Sequence, residues 1–474
     1  MPAFDAVVVG AGPNGLAAAV AVARAGRSVL VIEGHDTVGG GSRTLELTLP
    51  GYRHDVCSAV HPMGIGSPFF KTLPLEEHGL RWVHPDVPLA HPLGPGEAVL
   101  LRRSITATAG GLDPTDGEEY RHLFEPMLGR WEKVEPHVLG PLLRLPRHPG
   151  ALARFGLVGA LPATSLLKGF TGARARALIA GCAAHAFLPL NRPLTSAFAI
   201  LLMVGAHRYG WPFAAGGSQA IVDALASYLR SMGGEIECGR WVKTFGDLPT
   251  SRVVLCDLVP SALARMAGES LGKGSRRRMR RFRHGPAAFK LDYALSAPMP
   301  WTNPELTEAG TIHLGGTAED IMRAEAAIWN GRSGPQPFTL VAQPSLFDRS
   351  RAPAGGDTLW VYAHVPHGSS EDATEAVERQ LDALAPGWKG QVLARKITTP
   401  AELESYNPNL VGGDITGGAH TFGQLVLRPF PSRDPYATPL PGVYLCSSST
   451  PPGAGVHGMA GYWAARSALK NELR

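Results

Sequence analysis

The 474 residues are 44% apolar and 18% charged, with no acidic tail or long polar tract, which excludes a disordered chain and leaves room for two domains. The net charge of +5 is concentrated in one run from Lys273 to His284, KGSRRRMRRFRH, so nucleic acid is not an expected partner; the run reads as a solvated face, a contact for anionic lipid, or a contact for an acidic partner. Cys57, Cys182, Cys238, Cys256 and Cys446 form no CxxC pair and no stretch has the form of a signal peptide or membrane span, so a reduced, cytoplasmic chain, at most peripheral to a membrane, is expected.

In chain order, Asp5–Gly10 is a short apolar run closed by glycine, as expected of a buried parallel strand. The alanine-rich Gly15–Gly26 predicts a helix with its glycine C-cap, and Ser28–Glu33 a second strand, which completes a β-α-β unit. Pro and Gly punctuate a strand-and-turn region from Gly51 to about Leu101. From Pro114 to Arg208, apolar residues at three- and four-residue spacing predict a helical insertion or cap, one that lines an apolar pocket or forms an ordinary bundle. A helix follows Gly216-Gly217-Ser218 and stops at Gly233-Gly234; then come strand Glu235–Cys238, the stretch Arg240–Phe245 with Val242 read plainly as a strand residue, and strand Arg252–Asp257. Phe289–Leu295 and Leu359–His364 read as strands of a second sheet and Asp372–Leu384 as a helix. Gly442–Cys446 is the last strand and Gly458–Leu469 the last helix.

Two loops carry the strongest chemical signal. Gly10-Ala11-Gly12-Pro13-Asn14-Gly15 lies between strand and helix. Gly10 suits a tight turn, Gly12 close approach of a pyrophosphate to the backbone, and Gly15 close packing of helix on strand. The helix N-terminus presents free N–H groups to the phosphates, and Glu33, at the end of the second strand, suits a ribose diol. Val38-Gly39-Gly40-Gly41-Ser42-Arg43-Thr44 adds further N–H donors and a cation, which points to FAD rather than NAD.

VVVGAGPNGLAAA with Glu33, the VGGGSRT loop, GGSQAIVDALASYLRSMGGEIE and GVYLCSSSTPPGAGVHGMAGYWAARSAL together resemble the FAD-dependent flavoproteins of the phytoene desaturase and amine oxidase group. The likeness is strongest to the phytoene-dehydrogenase-like NAD(P)/FAD-dependent oxidoreductase branch. It implies an α/β fold: a glutathione reductase-like, Rossmann-type FAD-binding domain on a parallel sheet, from residues 1–70, 211–285 and 426–474. A second, α+β substrate domain on a mixed sheet with a helical cap would comprise 71–210 and 286–425, its helical part touching a membrane. The implied FAD contacts are Gly10, Gly12, Pro13, Asn14, Gly15, Glu33, Gly34, Gly40, Gly41, Ser42, Arg43, Ser448, Gly458 and Met459, with the backbone of Val242 near the adenine. Gly41-Ser42-Arg43 departs from the group's direct GGR, which puts Arg43's place at the phosphate in question.

His457, in the closing glycine loop, and Asp55 and His61, where the resemblance brings the chain to the reacting centre, are the candidates for proton chemistry. Hydride removal by a flavin requires alignment and exclusion of water rather than a metal or nucleophile, and no HExxH or Ser-His-Asp pattern is present. The expected activity is hydride removal from a largely apolar small molecule, most simply carbon–carbon desaturation. The alternatives are amine or amino-acid oxidation with dioxygen, a flavoprotein isomerase, and a structural flavoprotein. The closing PGAGVHGMAG repeats GxGxxG, but the sixteen residues after Gly458 leave no place for a second strand and acidic residue; it is read as the other end of the FAD site, with a helix N-terminus brought to the flavin ring. Substrate identity, reaction direction, electron acceptor and oligomeric state have no signature in the sequence.

Overall fold

The glycine-rich N-terminus builds the first of two large sheets in the computed structural model, which describes residues 2–429 and 431–474. Strands β1 (Phe4–Val9) and β2 (Val29–Ile32) flank helix α1 (Pro13–Arg24). The chain then makes β3 (Val87–Gly94) and β4 (Glu97–Leu101), followed by a helical stretch whose longer members are α2 (Pro114–Leu128), α3 (Trp131–Val138), α4 (Pro149–Gly159), α5 (Ala173–Ala184) and α6 (Thr195–Tyr209). Next come α7 (Gln219–Ser231), β5 (Glu235–Glu237), β6 (Ser251–Cys256), α8 (Pro260–Ala267) and α9 (Lys273–Arg280). The remaining long elements are β7 (Ala287–Leu295), β8 (Ala309–Leu314), α10 (Ala318–Trp329), β9 (Thr339–Ala342), β10 (Asp357–Val365), α11 (Thr374–Leu384), β11 (Val392–Thr398), β12 (Val443–Leu445) and α12 (Met459–Asn471).

Five strands form a wholly parallel sheet in the order β12-β6-β1-β2-β5. Its strands are short and β-branched, as suits strands covered on both faces. Three distant parts of the sequence meet here, so Val9, Ile32 and Cys256 end side by side at the carboxyl edge where dinucleotides bind in such sheets. Helix α1 covers one face and is crossed by α12. A Cβ at Gly461 would stand 1.8 Å from the Asn14 carbonyl oxygen, so this crossing requires glycine.

The second sheet is mixed, in the order β11-β7-β10-β9-β8-β3-β4, with β3 and β8 parallel and the other neighbours antiparallel. Every residue of β7 and β10 is buried. Alternation divides each strand between two layers: Phe289, Leu291, Tyr293, Leu359 and Val361 pack with α11, whereas Ala288, Trp360 and Tyr362 join the helical layer of α2, α5 and α6.

One sequence expectation is corrected. Arg240–Phe245 is not a strand; it leaves the edge of the parallel sheet after Glu237. Arg240 N–H donates to the Glu33 carbonyl at 2.9 Å, and Thr244 and Asp247 close the segment as a reciprocal cap. The basic run forms α9. Among the described residues no single helix is long and apolar enough to cross a membrane.

Candidate active site

A continuous cavity of about 780 Å³ runs from the carboxyl edge of the parallel sheet to the mixed sheet. At the first end, Gly10, Gly12, Pro13 and Asn14 form one wall, faced by Gly40, Gly41, Ser42 and Arg43. The two glycine loops touch: a Cβ at Gly40 would meet Gly12 Cα at 2.9 Å, and Gly40 has φ +54, so any larger residue would both clash and be strained. Glu33, also on the wall, accepts Ala11 N–H at 2.7 Å and His35 N–H at 3.0 Å, which fixes its carboxylate and leaves acceptor capacity on each oxygen. Gly34 and Val242 complete this end with Trp241, whose indole lies 2.7 Å from where a Gly34 Cβ would be.

Two buried polar atoms in these loops, Asn14 Oδ1 and Ser42 Oγ, have no hydrogen-bond partner among the described residues. Such groups are costly unless something satisfies them. With the glycine turn, a carboxylate at the ribose position and a cavity that continues well beyond both, the residues fit FAD. Glu33 and Trp241 would hold its adenosine end and the Gly12 and Gly40–Ser42 loops its pyrophosphate. Ser448 and Ala454–Val456 line the farther part.

Arg43 lines the cavity, but Nε donates to Thr37 Oγ1 at 3.1 Å, Nη2 to the Thr37 carbonyl at 2.7 Å and Nη1 to Tyr406 Oη at 2.8 Å. Three of its five N–H groups therefore hold the loop itself. Gly15, Gly458 and Met459 are not on the cavity wall. Gly15 is a packing glycine whose Cβ would come within 2.0 Å of the Gly10 carbonyl oxygen, and Gly458 meets Phe70 and Ala17 in the same way. Met459 is buried in the core beneath the parallel sheet. The last glycine loop thus shows Ala454, Gly455 and Val456 to the cavity and keeps the start of α12 for packing on α1.

The three proton-transfer candidates separate. Asp55 is off the cavity wall. Its carboxylate accepts from Thr44 Oγ1 at 2.7 Å, Ser218 N–H at 2.8 Å and Arg351 Nη2 at 2.7 Å. Burial alone would raise its pKa, but the Arg351 charge and these donors hold it below the usual carboxylate value. His457 is buried in its own loop: Nδ1 accepts Met459 N–H at 3.1 Å and Nε2 faces the Ala454 carbonyl at 3.2 Å. Both ring nitrogens are used by the backbone, so His457 is a loop clamp. His61 alone of the three lines the cavity. Ser218 Oγ donates to the Ser58 carbonyl at 2.6 Å, so it accepts from His61 Nε2 at 2.8 Å, and the His61 nitrogen without a proton is Nδ1, with Ser58 Oγ 3.4 Å away as its donor. Burial pushes the His61 pKa down to about 4, so the ring is neutral at pH 7.

Sequence reasoning missed Lys290, Trp360, His185 and Asp257, all on the wall. Lys290 Nζ pairs with Asp292 and stands 5.8 Å from the centre of the Trp360 ring. His185 Nε2 lies 3.0 Å from His313 Nε2, in a buried group with His91. Burial lowers both His185 and His91, to about 3 and about 4.

Residues 8–72 match the NAD(P)-binding Rossmann-like domain. The chain is 27% identical to mouse pyridine nucleotide-disulfide oxidoreductase domain-containing protein 2, over 98% of its own length and 93% of that protein's. It is 24% identical to the lycopene-forming phytoene desaturase of Pseudescherichia vulneris, over 61% of this chain and 62% of the desaturase. Among solved structures, cyclohexylamine oxidase from Brevibacterium oxydans IH-35A superposes over the full length of both chains, with a TM-score of 0.59 at 16% identity. A Rossmann unit that ends in a carboxylate, a second glycine loop locked against it and a mixed sheet closing the far end of one cavity, with the likeness to these relatives, are those of an FAD-dependent oxidoreductase that resembles phytoene desaturase in sequence and cyclohexylamine oxidase in fold.

Proposed function

We propose that this enzyme is a dehydrogenase of the desaturase type, removing hydrogen from adjacent carbons of a largely apolar substrate. The observation that carries this reading is the wall beyond the cofactor end. Phe198, Leu201, Leu202, Trp211, Leu340 and Trp360 supply apolar surface, and the charged side chain among them is the cation Lys290. Lys290 is already paired with Asp292 behind the wall, and among the described residues no carboxylate lines the cavity beside these apolar side chains to bind a protonated amine, which disfavours amine oxidation. Bound FAD supplies a two-electron acceptor for hydride. The chain's residues hold the apolar body in line and exclude water, and the proton lost from the neighbouring carbon goes to His61, a neutral ring that lines the cavity with Nδ1 unprotonated and Ser58 Oγ beside it.

A lipid surface is the proposed source of substrate. Leu143, Leu145, Leu157 and Leu161 are 67%, 94%, 76% and 42% exposed, unusual for large apolar side chains gathered in one segment. No Asp or Glu lies between Glu135 and Asp223, whereas Arg144, Arg147, Arg154 and Lys168 do. This combination complements anionic headgroups over an apolar interior. The inner side of α4 packs on α6, Gly159 against Ala197, and the next residues of α6, Phe198, Leu201 and Leu202, line the cavity.

The test is anaerobic. The purified yellow protein is mixed with apolar alkenes and polyenes and, separately, with primary amines. Bleaching by an apolar compound, with a product two hydrogens poorer, supports the reading. Bleaching by amines alone would make the protein an amine oxidase, and no bleaching by either panel would point to a structural flavoprotein.

A further inference from the structure

Asp257 follows β6 at the carboxyl edge of the parallel sheet and lines the cavity beside the first glycine turn. Its Oδ2 accepts Gly15 N–H at 3.0 Å, and a Cβ at Gly12 would lie 3.0 Å from the same oxygen. The carboxyl therefore stands at the N-terminus of α1, on the glycines against which a pyrophosphate must lie. The backbone holds it there: Asp257 N–H donates to the Val9 carbonyl at 2.8 Å, while Asn409 donates from Nδ2 to the Asp257 carbonyl at 2.9 Å and accepts Val259 N–H at 2.8 Å. Two anions cannot share one helix terminus at close range without a large Coulomb penalty.

We propose that Asp257 is a cofactor-binding residue that acts as the neutral carboxylic acid, donating a hydrogen bond to the pyrophosphate, so that FAD binding takes up one proton. This rests on the assignment of FAD to the cavity. Oδ2 keeps Gly15 N–H, and Oδ1, which has no hydrogen-bond partner among the described residues, carries the proton toward the ligand. Protonation removes the repulsion and turns an acceptor into a donor, a demand that a glycine turn without this aspartate would not make.

The surroundings favour the neutral form before any ligand arrives. Burial, and secondarily the negative charge of Glu33 just after β2, push the Asp257 pKa up to about 7 against the pull of Gly15 N–H. Of the other neighbours, the start of α1 contributes backbone N–H and the uncharged Asn14, and Cys256 on β6 and Cys446 after β12 are thiols whose pKa values burial raises, that of Cys256 to about 12. Arg265 of α8 and Arg43 lie on the same cavity wall. A bound pyrophosphate raises the Asp257 pKa further, so affinity is highest below the free-protein value and falls as pH rises between the free and bound values.

The test is the binding of FAD to apoprotein, followed by flavin fluorescence from about pH 6 to about pH 9, a range in which FAD itself does not titrate. The wild type should lose up to about tenfold in affinity per pH unit above about pH 7. Asp257→Asn keeps shape, acceptor and donor, and should bind at all these pH values about as tightly as the wild type does at the lowest. Calorimetry of the wild type in buffers of different ionisation enthalpy should show net proton uptake, a readout that needs no variant. Proton release, pH-independent binding by the wild type, or an equal slope in Asp257→Asn overturns the proposal while leaving FAD binding intact; failure of the apoprotein to bind FAD at any pH overturns the cofactor assignment instead.

Discussion

Arg351 Nη2 stands 2.7 Å from Asp55 Oδ2, with the two side chains 1% and 0% exposed. The pair joins the loop after β9 to the short ribbon in which Thr44 pairs with Asp55, and Ser218 N–H links it to the start of α7. Removing one member of a buried ion pair leaves the other uncompensated, at a cost of about 3–5 kcal/mol. Asp55→Ala should lose that much stability in denaturant titration, and the double variant Asp55→Asn with Arg351→Met should recover most of it. If Asp55→Ala instead keeps its stability and loses only flavin reduction, Asp55 acts in catalysis and the structural role assigned to it is wrong.

Asp55 reaches the cavity through Ser218, whose hydroxyl fixes the His61 ring. Ser218→Ala should retain stoichiometric FAD and slow anaerobic flavin reduction by about tenfold or more, since a positioned base contributes about 10²-fold or more. His61→Ala should show the full loss, and His457→Ala, which acts only on loop packing, should change stability more than the reduction rate. Stopped-flow traces at matched FAD occupancy separate these cases; a Ser218→Ala rate equal to wild type removes His61 from the mechanism.

The first turn of the cofactor end was legible in sequence because its features are local: a glycine turn between an apolar strand and an alanine-rich helix, with an acid one strand later. The far end was not. Lys290 and Asp292 alternate with Phe289, Leu291 and Tyr293, a pattern that reads equally as a strand with one solvated face; only the covering layer of α5 and α6 turns that polar face inward. Asp257 lies 242 positions from Gly15, and nothing in VVLCDLVP signals that β6 ends beside the first turn. For His457 the sequence shows the loop but not the ring's direction: the loop lines the cavity, and the ring bonds back to its own backbone.

Several buried histidines make the protein acid-sensitive. Burial lowers His54, His185 and His420 to about 3, and His61, His91, His207 and His457 to about 4. The unfolded chain binds their protons near pH 6.5 and the folded chain does not. Their contribution to stability is therefore fully present above about pH 6.5 and declines as pH falls toward about 4, by about 1.4 kcal/mol per pH unit for each histidine. Against a net stability of about 5–15 kcal/mol, a few such groups suffice for unfolding before the carboxylates titrate. The melting temperature should drop steeply between about pH 6 and about pH 5; a flat profile there would mean that these rings are solvated.

Membrane contact through α4 and the loop before it can be separated from contact through the basic helix α9. Leu145 and Leu157 are exposed in the free protein, so replacing both by Gln should leave the melting temperature unchanged. Burying a leucine side chain in lipid is worth about 1.5–3 kcal/mol, and losing two should weaken co-sedimentation with phosphatidylglycerol-containing vesicles by at least about tenfold. Added salt should weaken wild-type binding by screening Arg147, Arg154 and Lys168. Arg277→Glu with Arg278→Glu, which alters α9 alone, should leave vesicle binding within about threefold of wild type once the lost basic charge is allowed for. If the α9 variant abolishes binding and the leucine variant does not, the lipid contact lies on the basic run, and the route from bilayer to cavity across α4 and α6 is excluded.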